Sequence, residues 1–184
     1  MKFTPTPIED LFVVEPKVFG DHRGYFFESY SQQAFLQAGV DAAFVQDNES
    51  FSGKGVLRGL HFQAPPKAQG KLVRVQQGSV LDVAVDIRKG SPTYGQHFSV
   101  VLSGANKKML WIPPGFAHGF TTLEDYTVFL YKCTDSYSPE HEGNILWNDP
   151  TLNINWGIDA PELSEKDKIG PSFEEFDSPF TYEK

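Results

Sequence analysis

Hydrophobic and polar positions alternate with a period of two through much of this chain. From Ser79 to Ile87, Leu81, Val83, Val85 and Ile87 fall on one side, and Asp82, Ala84 and Asp86 fall on the other. That period belongs to a strand with one buried face, so the segment is predicted as half-buried β. Further strands are predicted at Tyr25–Tyr30, Phe44–Asn48, Val56–Phe62, Lys71–Gln77, His97–Leu102, Met109–Ile112 and Thr127–Lys132, where Val, Phe, Tyr and Leu recur. One helix is predicted, Ser31–Ala38, with Ser31 as its N-cap and Gly39 as its stop. A short turn is expected after Ser164, where Ser-Glu-Lys-Asp suits a helix start. Short strands between Gly and Pro turns, from Leu11 to about Trp147, run on without a repeat, low-complexity tract or linker. They predict an all-β sandwich or jelly-roll barrel with short peripheral helices, in a single domain over residues 1–184.

Composition narrows the class. A 40 % hydrophobic, 14 % aromatic chain of 184 residues is too apolar for disorder and long enough for a sizeable core. The formal charge of -8 argues against nucleic acid, because duplex binding needs a basic face. A small phosphate ligand needs only two or three well-placed cations and stays open. With one cysteine, Cys133, no disulfide forms within the chain, and Cys133 reads as a buried small hydrophobe. No segment approaches the ~18 apolar residues of a membrane span, and Met1–Pro5 lacks a signal-peptide run. The expectation is a reduced, cytoplasmic protein with neither membrane nor nucleic-acid partner.

The five histidines are His22, His61, His97, His118 and His141. Gly55 to His61 has the Gly-x5-His opening of the first cupin motif, and Pro113 to His118 matches the second, Pro-x-Gly-x-x-His. Metal-binding cupins continue with another His two residues on and then a Glu, but here Gln63 and Ala64-Pro65-Pro66-Lys67 follow. Two histidines without a carboxylate make a poor divalent site, so no metal is expected. Polar side chains inside a barrel need another use. Arg58, His61, Lys71 and Arg74 lie on two neighbouring predicted strands joined by Ala64–Gly70, and are expected to converge on an opening fit for a diphosphate. Parity opposes this for one pair, since Arg58 and His61, three apart, fall on opposite faces of a regular strand. Gly59 between them marks a twist or bulge that re-aims them.

Several runs, in order, carry a family resemblance. They are Phe19-Gly-Asp-His-Arg23-Gly-Tyr-Phe-Phe-Glu28, Gln46-Asp47-Asn48, Gly55 to Gln63, Gly70-Lys71-Leu72-Val73-Arg74, Leu81 to Arg88, Trp111 to Phe120, Phe129-Leu130-Tyr131-Lys132 and Leu163-Ser164-Glu165-Lys166-Asp167. From Phe19 to Asp167 the chain resembles the dTDP-4-dehydrorhamnose 3,5-epimerases, cupin-type jelly rolls with a double-stranded β-helix. The resemblance implies cofactor-free epimerisation at C3 and C5 of dTDP-4-dehydro-6-deoxy-D-glucose, giving dTDP-4-dehydro-L-rhamnose for surface polysaccharide, by a homodimer. It implies His61 as general base oriented by Asp167, Lys71 as stabiliser of the O4 enolate and Tyr131 as proton donor on the opposite face. Arg23, Glu28, Gln46, Asn48, Arg58, His118, Glu142 and Lys166 fall at its substrate-binding positions, with the local match looser around Glu142 and Lys166.

The residue types suit that chemistry. Protons at C3 and C5 are acidic because the C4 ketone takes up the charge as an enolate. Histidine, with an ordinary pKa of about 6.5, suits the base, and tyrosine, at about 10, enters protonated and donates. Taken singly, Tyr131 fits a core aromatic equally well, Asp167 a helix-start acid, Lys71 a strand-edge cation, and Phe26, Phe27 and Trp111 packing. Tyr137 suits a stack on thymine or a turn cap. Three rival functions remain: an epimerase acting at one carbon or on another deoxysugar, a metal-dependent cupin such as a dioxygenase, and a sugar-binding jelly roll without catalysis.

Overall fold

The computed structural model describes residues 1–183; Lys184, the last residue of the expected domain, lies outside the described residues. In chain order the elements begin with β1 (Lys2–Pro5), β2 (Phe12–Glu15), β3 (Phe19–Asp21), β4 (Gly24–Phe26), α1 (Gln32–Gln37) and β5 (Gln46–Ser52). Next come β6 (Leu57–Gln63), β7 (Lys71–Gln77), β8 (Ser79–Asp86), β9 (Arg88–Lys89) and β10 (His97–Ser103). The last are β11 (Met109–Ile112), β12 (Phe116–Thr122), β13 (Thr127–Cys133), β14 (Glu142–Asn144) and β15 (Phe180–Thr181). A six-stranded sheet has the order β1-β2-β11-β7-β13-β5, and a five-stranded sheet the order β10-β8-β12-β6-β14. Both are antiparallel throughout and face each other as the jelly roll predicted. Among the described residues no helix is long and apolar enough to cross a membrane.

Between the sheets, Val73, Val75, Leu110, Ile112 and Phe129 meet Val80, Ala84, Leu102, Phe116 and Phe120. Phe120 and Phe129 stack across the barrel with ring centroids 4.1 Å apart. Large rings buried this fully each contribute roughly 1.5–3 kcal/mol. They close the apolar end of the interior, leaving its other end to polar side chains.

The segment read as half-buried is in fact buried on both faces. Val83, Val85 and Ile87 pack outward against Leu152, Trp156 and Phe180 of the C-terminal region, which covers that face of the five-stranded sheet. Asp82 and Asp86, on the polar side, are wholly buried and look inward. Each is paired: Asp82 with His118, and Asp86 with Arg88, Ser91 and Thr93. Alternation gave the faces correctly, but polarity did not mean solvent.

Other boundaries differ for physical reasons. The strand expected over Tyr25–Tyr30 shrinks to Gly24–Phe26, because it pairs only with β3 in a projecting hairpin. β12 was not predicted; Gly119 dilutes its strand character, and it is held by partners on both sides. Helix α1 keeps its expected signals, with the Ser31 hydroxyl accepting from the Ala34 N–H and Gly39 at φ +83° after its end. Phe35 on its buried face packs against Trp111 and Phe44, which fixes the helix on the outside of the six-stranded sheet.

Gly59 does re-aim β6. His61 pairs with His118 and Arg58 with Phe120, so three steps on β6 match two on β12, which is one inserted residue. Gly59 sits at φ +144°, and a Cβ there would lie 2.5 Å from the Gly119 Cα. Gly59→Ala is therefore expected to destabilise the protein by roughly 2–4 kcal/mol, combining backbone strain with a clash that no rotamer relieves. Gly90→Ala, also at positive φ but facing open space, is expected to lose only about 1 kcal/mol. Urea unfolding of both variants checks this; equal losses would mean that the close approach to Gly119 is not what matters.

Candidate active site

The bulge in β6 turns both Arg58 and His61 into one cavity of about 200 Å³, which Ser50, Lys71, His118 and Tyr131 also line. Phe120 and Phe129 form its apolar floor. Five strands deliver these groups: β5 gives Ser50, β6 Arg58 and His61, β7 Lys71, β12 His118 and β13 Tyr131. The barrel thus joins residues as far apart in the chain as Ser50 and Tyr131.

His61 is held from behind. Its Nε2 lies 2.5 Å from Asp167 Oδ1, and the carboxylate is 4 % exposed. Asp167 Oδ2 accepts from the Ser164 hydroxyl at 2.7 Å, and the Asp167 N–H donates back to that hydroxyl at 3.2 Å. The segment after Ser164 is a turn and not a helix, as the sequence suggested, and it is tied to the five-stranded sheet by Asn144. That side chain, opposite His61 on β14, donates its amide to the Ile169 and Lys166 carbonyls at 2.5 and 3.3 Å. Burial pushes the Asp167 carboxyl up, but hydrogen bonds from His61 and Ser164, the His61 charge and the Gly59 backbone N–H outweigh it and hold the pKa below the usual range. With Asp167 ionised, Nε2–H is the donor, and the other ring nitrogen is left without a protein partner among the described residues.

Lys71 has no ion pair among the described residues. Burial drives its pKa below the usual lysine range; Cys133, Asp82 and Glu142 oppose that, and Lys166 adds to it. Tyr131 also lacks a protein hydrogen bond among the described residues, and burial is the main cause that raises its pKa, so the phenol stays protonated well above neutrality. Unpaired donors in a partly desolvated cavity interact strongly with any oxygen that gains charge there.

The remaining expected residues divide. On β5, Gln46 donates to Asn48 at 3.1 Å and accepts the Tyr137 N–H at 2.8 Å, and Asn48 donates to Cys133 Sγ at 3.5 Å. Arg58 donates to Ser52 at 3.2 Å. Glu142 pairs with Lys166 and accepts from the Tyr137 hydroxyl at 2.9 Å, near enough for its charge to act on His61 and Lys71. Arg74 is a correction. It alternates with Lys71 and Val73, so it points to the outer face of the sheet, beside Asp47 and Lys132. Arg23 and Glu28 are also apart from the cavity within this chain. Arg23 pairs with Asp21 at 2.6 Å on the exposed β3–β4 hairpin.

Asp82, Ser164 and Asn144 escaped the sequence reading. Asp82 had one signal, an acid on the inner side of an otherwise apolar strand. Asn144 had none, since its role depends on a turn that folds back from more than twenty residues away. Gln63, at the place of the second cupin histidine, is 4 % exposed and spends its amide on backbone: it donates to the Lys67 and Ser136 carbonyls and accepts the Ser138 N–H. No three His, Cys, Asp or Glu side chains gather as a metal site among the described residues.

The depressed Asp167 pKa makes stability depend on pH in a defined direction. Its contribution is fully present above the unfolded-state carboxylate value of about 3.9 and is lost as pH falls through the lower folded value. Asp167→Asn is expected to be less stable than wild type by roughly 1–3 kcal/mol at pH 7, with the gap closing as pH falls through that window. Denaturant titrations across the acid range test this; a gap that stays constant with pH would show that the charge contributes nothing.

The chain matches the profile of the dTDP-4-dehydrorhamnose 3,5-epimerase family over residues 5–175. It is 60 % identical to the dTDP-4-dehydrorhamnose 3,5-epimerase of Salmonella typhimurium over 168 residues, 90 % of this chain and 92 % of that one. With the Pseudomonas aeruginosa enzyme of the same name it shares 58 % over 179 residues, 96 % of this chain and 98 % of that one. A solved dTDP-6-deoxy-D-glucose-3,5-epimerase from Legionella pneumophila, in complex with dTDP-4-keto-L-rhamnose, superposes with a TM-score of 0.95 at 48 % identity, covering 100 % of this chain and 99 % of that one. The jelly roll, the cavity within it and these matches together place the chain in the dTDP-4-dehydrorhamnose 3,5-epimerase family.

Proposed function

We propose that the cavity converts dTDP-4-dehydro-6-deoxy-D-glucose to dTDP-4-dehydro-L-rhamnose by moving protons at C3 and C5, without cofactor or metal. The observation that carries this reading is the His61–Asp167 pair facing, across one small cavity, a lysine and a tyrosine that are unpaired among the described residues. His61, its Nε2–H fixed on Asp167, uses its other nitrogen to take the proton beside the C4 ketone. The Lys71 ammonium meets the charge that grows on O4, an interaction stronger in the transition state than in the ground state. Inversion needs an acid on the opposite face, and Tyr131 supplies the proton there. Gln46, Asn48, Arg58, His118, Glu142 and Lys166 bind the nucleotide sugar, with the cations meeting the diphosphate. One cysteine and a nucleotide-sugar substrate fit a cytoplasmic enzyme.

In D2O, wild type is expected to wash deuterium into both C3 and C5, as read by NMR. His61→Ala is expected to lose exchange by at least about 10³-fold, and Tyr131→Phe to keep exchange while failing to invert C5. Exchange at one carbon only would favour a single epimerase. Binding without any exchange would make this a sugar-binding module and end the epimerase reading.

We infer further that the enzyme is a homodimer in which Arg23 and Glu28 serve the partner's cavity. The hairpin that carries Arg23, with Glu28 just beyond its end, projects from the barrel and exposes Phe19, Tyr25 and Phe26, at 53 %, 61 % and 67 %. A second copy gives these rings cover and gives Arg23 a substrate to meet. Co-expression of His61→Ala with Arg23→Ala discriminates the two placements. If Arg23 crosses, half the dimers regain one intact site, and activity returns to about a quarter of wild type. No recovery, or a monomer by sedimentation, refutes the crossing.

A further inference from the structure

The cavity contains a second histidine–carboxylate pair, for which the reaction as described has no role beyond substrate binding. His118 Nε2 lies 3.1 and 3.0 Å from Asp82 Oδ1 and Oδ2, and the acid is wholly buried on β8. His118 is the sole hydrogen-bond partner of the Asp82 side chain among the described residues. The ring is 7 % exposed and fixed between aromatic neighbours, nearly parallel to Phe129 with centroids 6.2 Å apart. Its Nδ1 has no protein partner among the described residues, while the residue lines the cavity beside Lys71 and Tyr131.

An acid buried this completely, with one imidazole for company, is costly unless it stays paired. Replacement by an apolar residue would fill the same place between Leu81 and Val83, in a strand that also carries Val80, Ala84 and Val85. A pure packing role therefore gives no reason for a carboxylate here. A histidine that presents one nitrogen to a reacting group and the other to a carboxylate has a defined tautomer and orientation, and that is reason enough.

We propose that Asp82 is a positioning residue for the epimerisation, fixing the tautomer and direction of His118 on the side of the cavity where Lys71 meets the sugar oxygen. The inference rests on the epimerase reading of this cavity and adds to it a residue that acts only through others. Asp82 with Nε2–H as its donor leaves His118 Nδ1 turned to the substrate. Its charge also reaches Lys71, whose pKa burial depresses against the opposing influence of Cys133, Asp82 and Glu142. Because burial also raises the Cys133 thiol and leaves it neutral, the opposition at neutral pH comes from the two carboxylates. Asp82 thereby offsets part of the burial that depresses the Lys71 pKa.

Two measurements on the full-length enzyme test the assignment. In ligand-free wild type, ¹⁵N-histidine NMR is expected to find His118 protonated at Nε2; a bare Nε2 overturns the proposal whatever any variant does. Asp82→Asn, nearly equal in size, is expected to redistribute the His118 tautomer while the His61 signals stay in place. Its kcat is expected to fall on the order of ten- to a hundred-fold, with KM within about three-fold of wild type. Wild-type kcat in the folded variant, or a fall in kcat with unchanged His118 signals, overturns the role. Failure of wild type to exchange C3 or C5 protons would instead remove the epimerase reading, and the ligand-free spectra separate the two failures.

Discussion

A regular strand sends residues three apart to opposite faces, and the cavity needs Arg58 and His61 on the same one. The inserted residue at Gly59 resolves this conflict, and it fits only because Gly119 lies opposite on β12. Two backbones pass where a single methyl group would collide, at the point where β6 changes face. The same turn of chain brings the Gly59 backbone near enough to help lower the pKa of Asp167, the acid behind His61. Base, orienting acid and cation therefore depend on one close backbone crossing, and the strands around it have no freedom to shift register without losing all three.

The second constraint is electrostatic. A jelly roll of this size has room for a small polar cavity at one end of its interior, with stacked phenyl rings sealing the other. Each acid turned inward on β8 or behind β6 is tied to a histidine, an arginine or hydroxyl groups, which satisfies it out of water. The Lys71 and Tyr131 side chains differ, and their lack of partners among the described residues gives them to the substrate. The cavity is thus divided into groups whose partners are built in and groups whose partner arrives with the sugar. That division suits a reaction in which charge appears on one oxygen and two proton carriers must be ready on opposite faces.

The outer surface has a different logic. Residues that alternate with the cavity groups, Leu72, Arg74, Leu130 and Lys132, face outward beside Asp47, and the hairpin carrying Arg23 stands clear of the barrel. Period-two geometry ensures that a strand which supplies Lys71 to the inside also supplies Arg74 to the outside. A patch of cations in the sequence was for this reason split in two by the fold.

By itself the sequence determined that the chain is built of short strands, most of the longer ones, the faces of β8, the capped helix and the turn after Ser164, because period, capping and turn chemistry are local. It also marked His61, Lys71, Tyr131 and Asp167 through the order of its motifs, and it placed the irregularity at Gly59, since only a glycine there gives the chain such freedom. Tertiary structure alone decided which polar face was interior. Alternation reports that Asp82 and Asp86 share a side but is silent on whether water or Phe129 lies beyond them. Only the closed barrel set His61 against an acid 106 residues away, put Asp82 behind His118, separated Arg74 from Lys71, and left Arg23 and Glu28 outside the cavity. These are long-range pairings fixed by sheet order and register, and no local pattern encodes them.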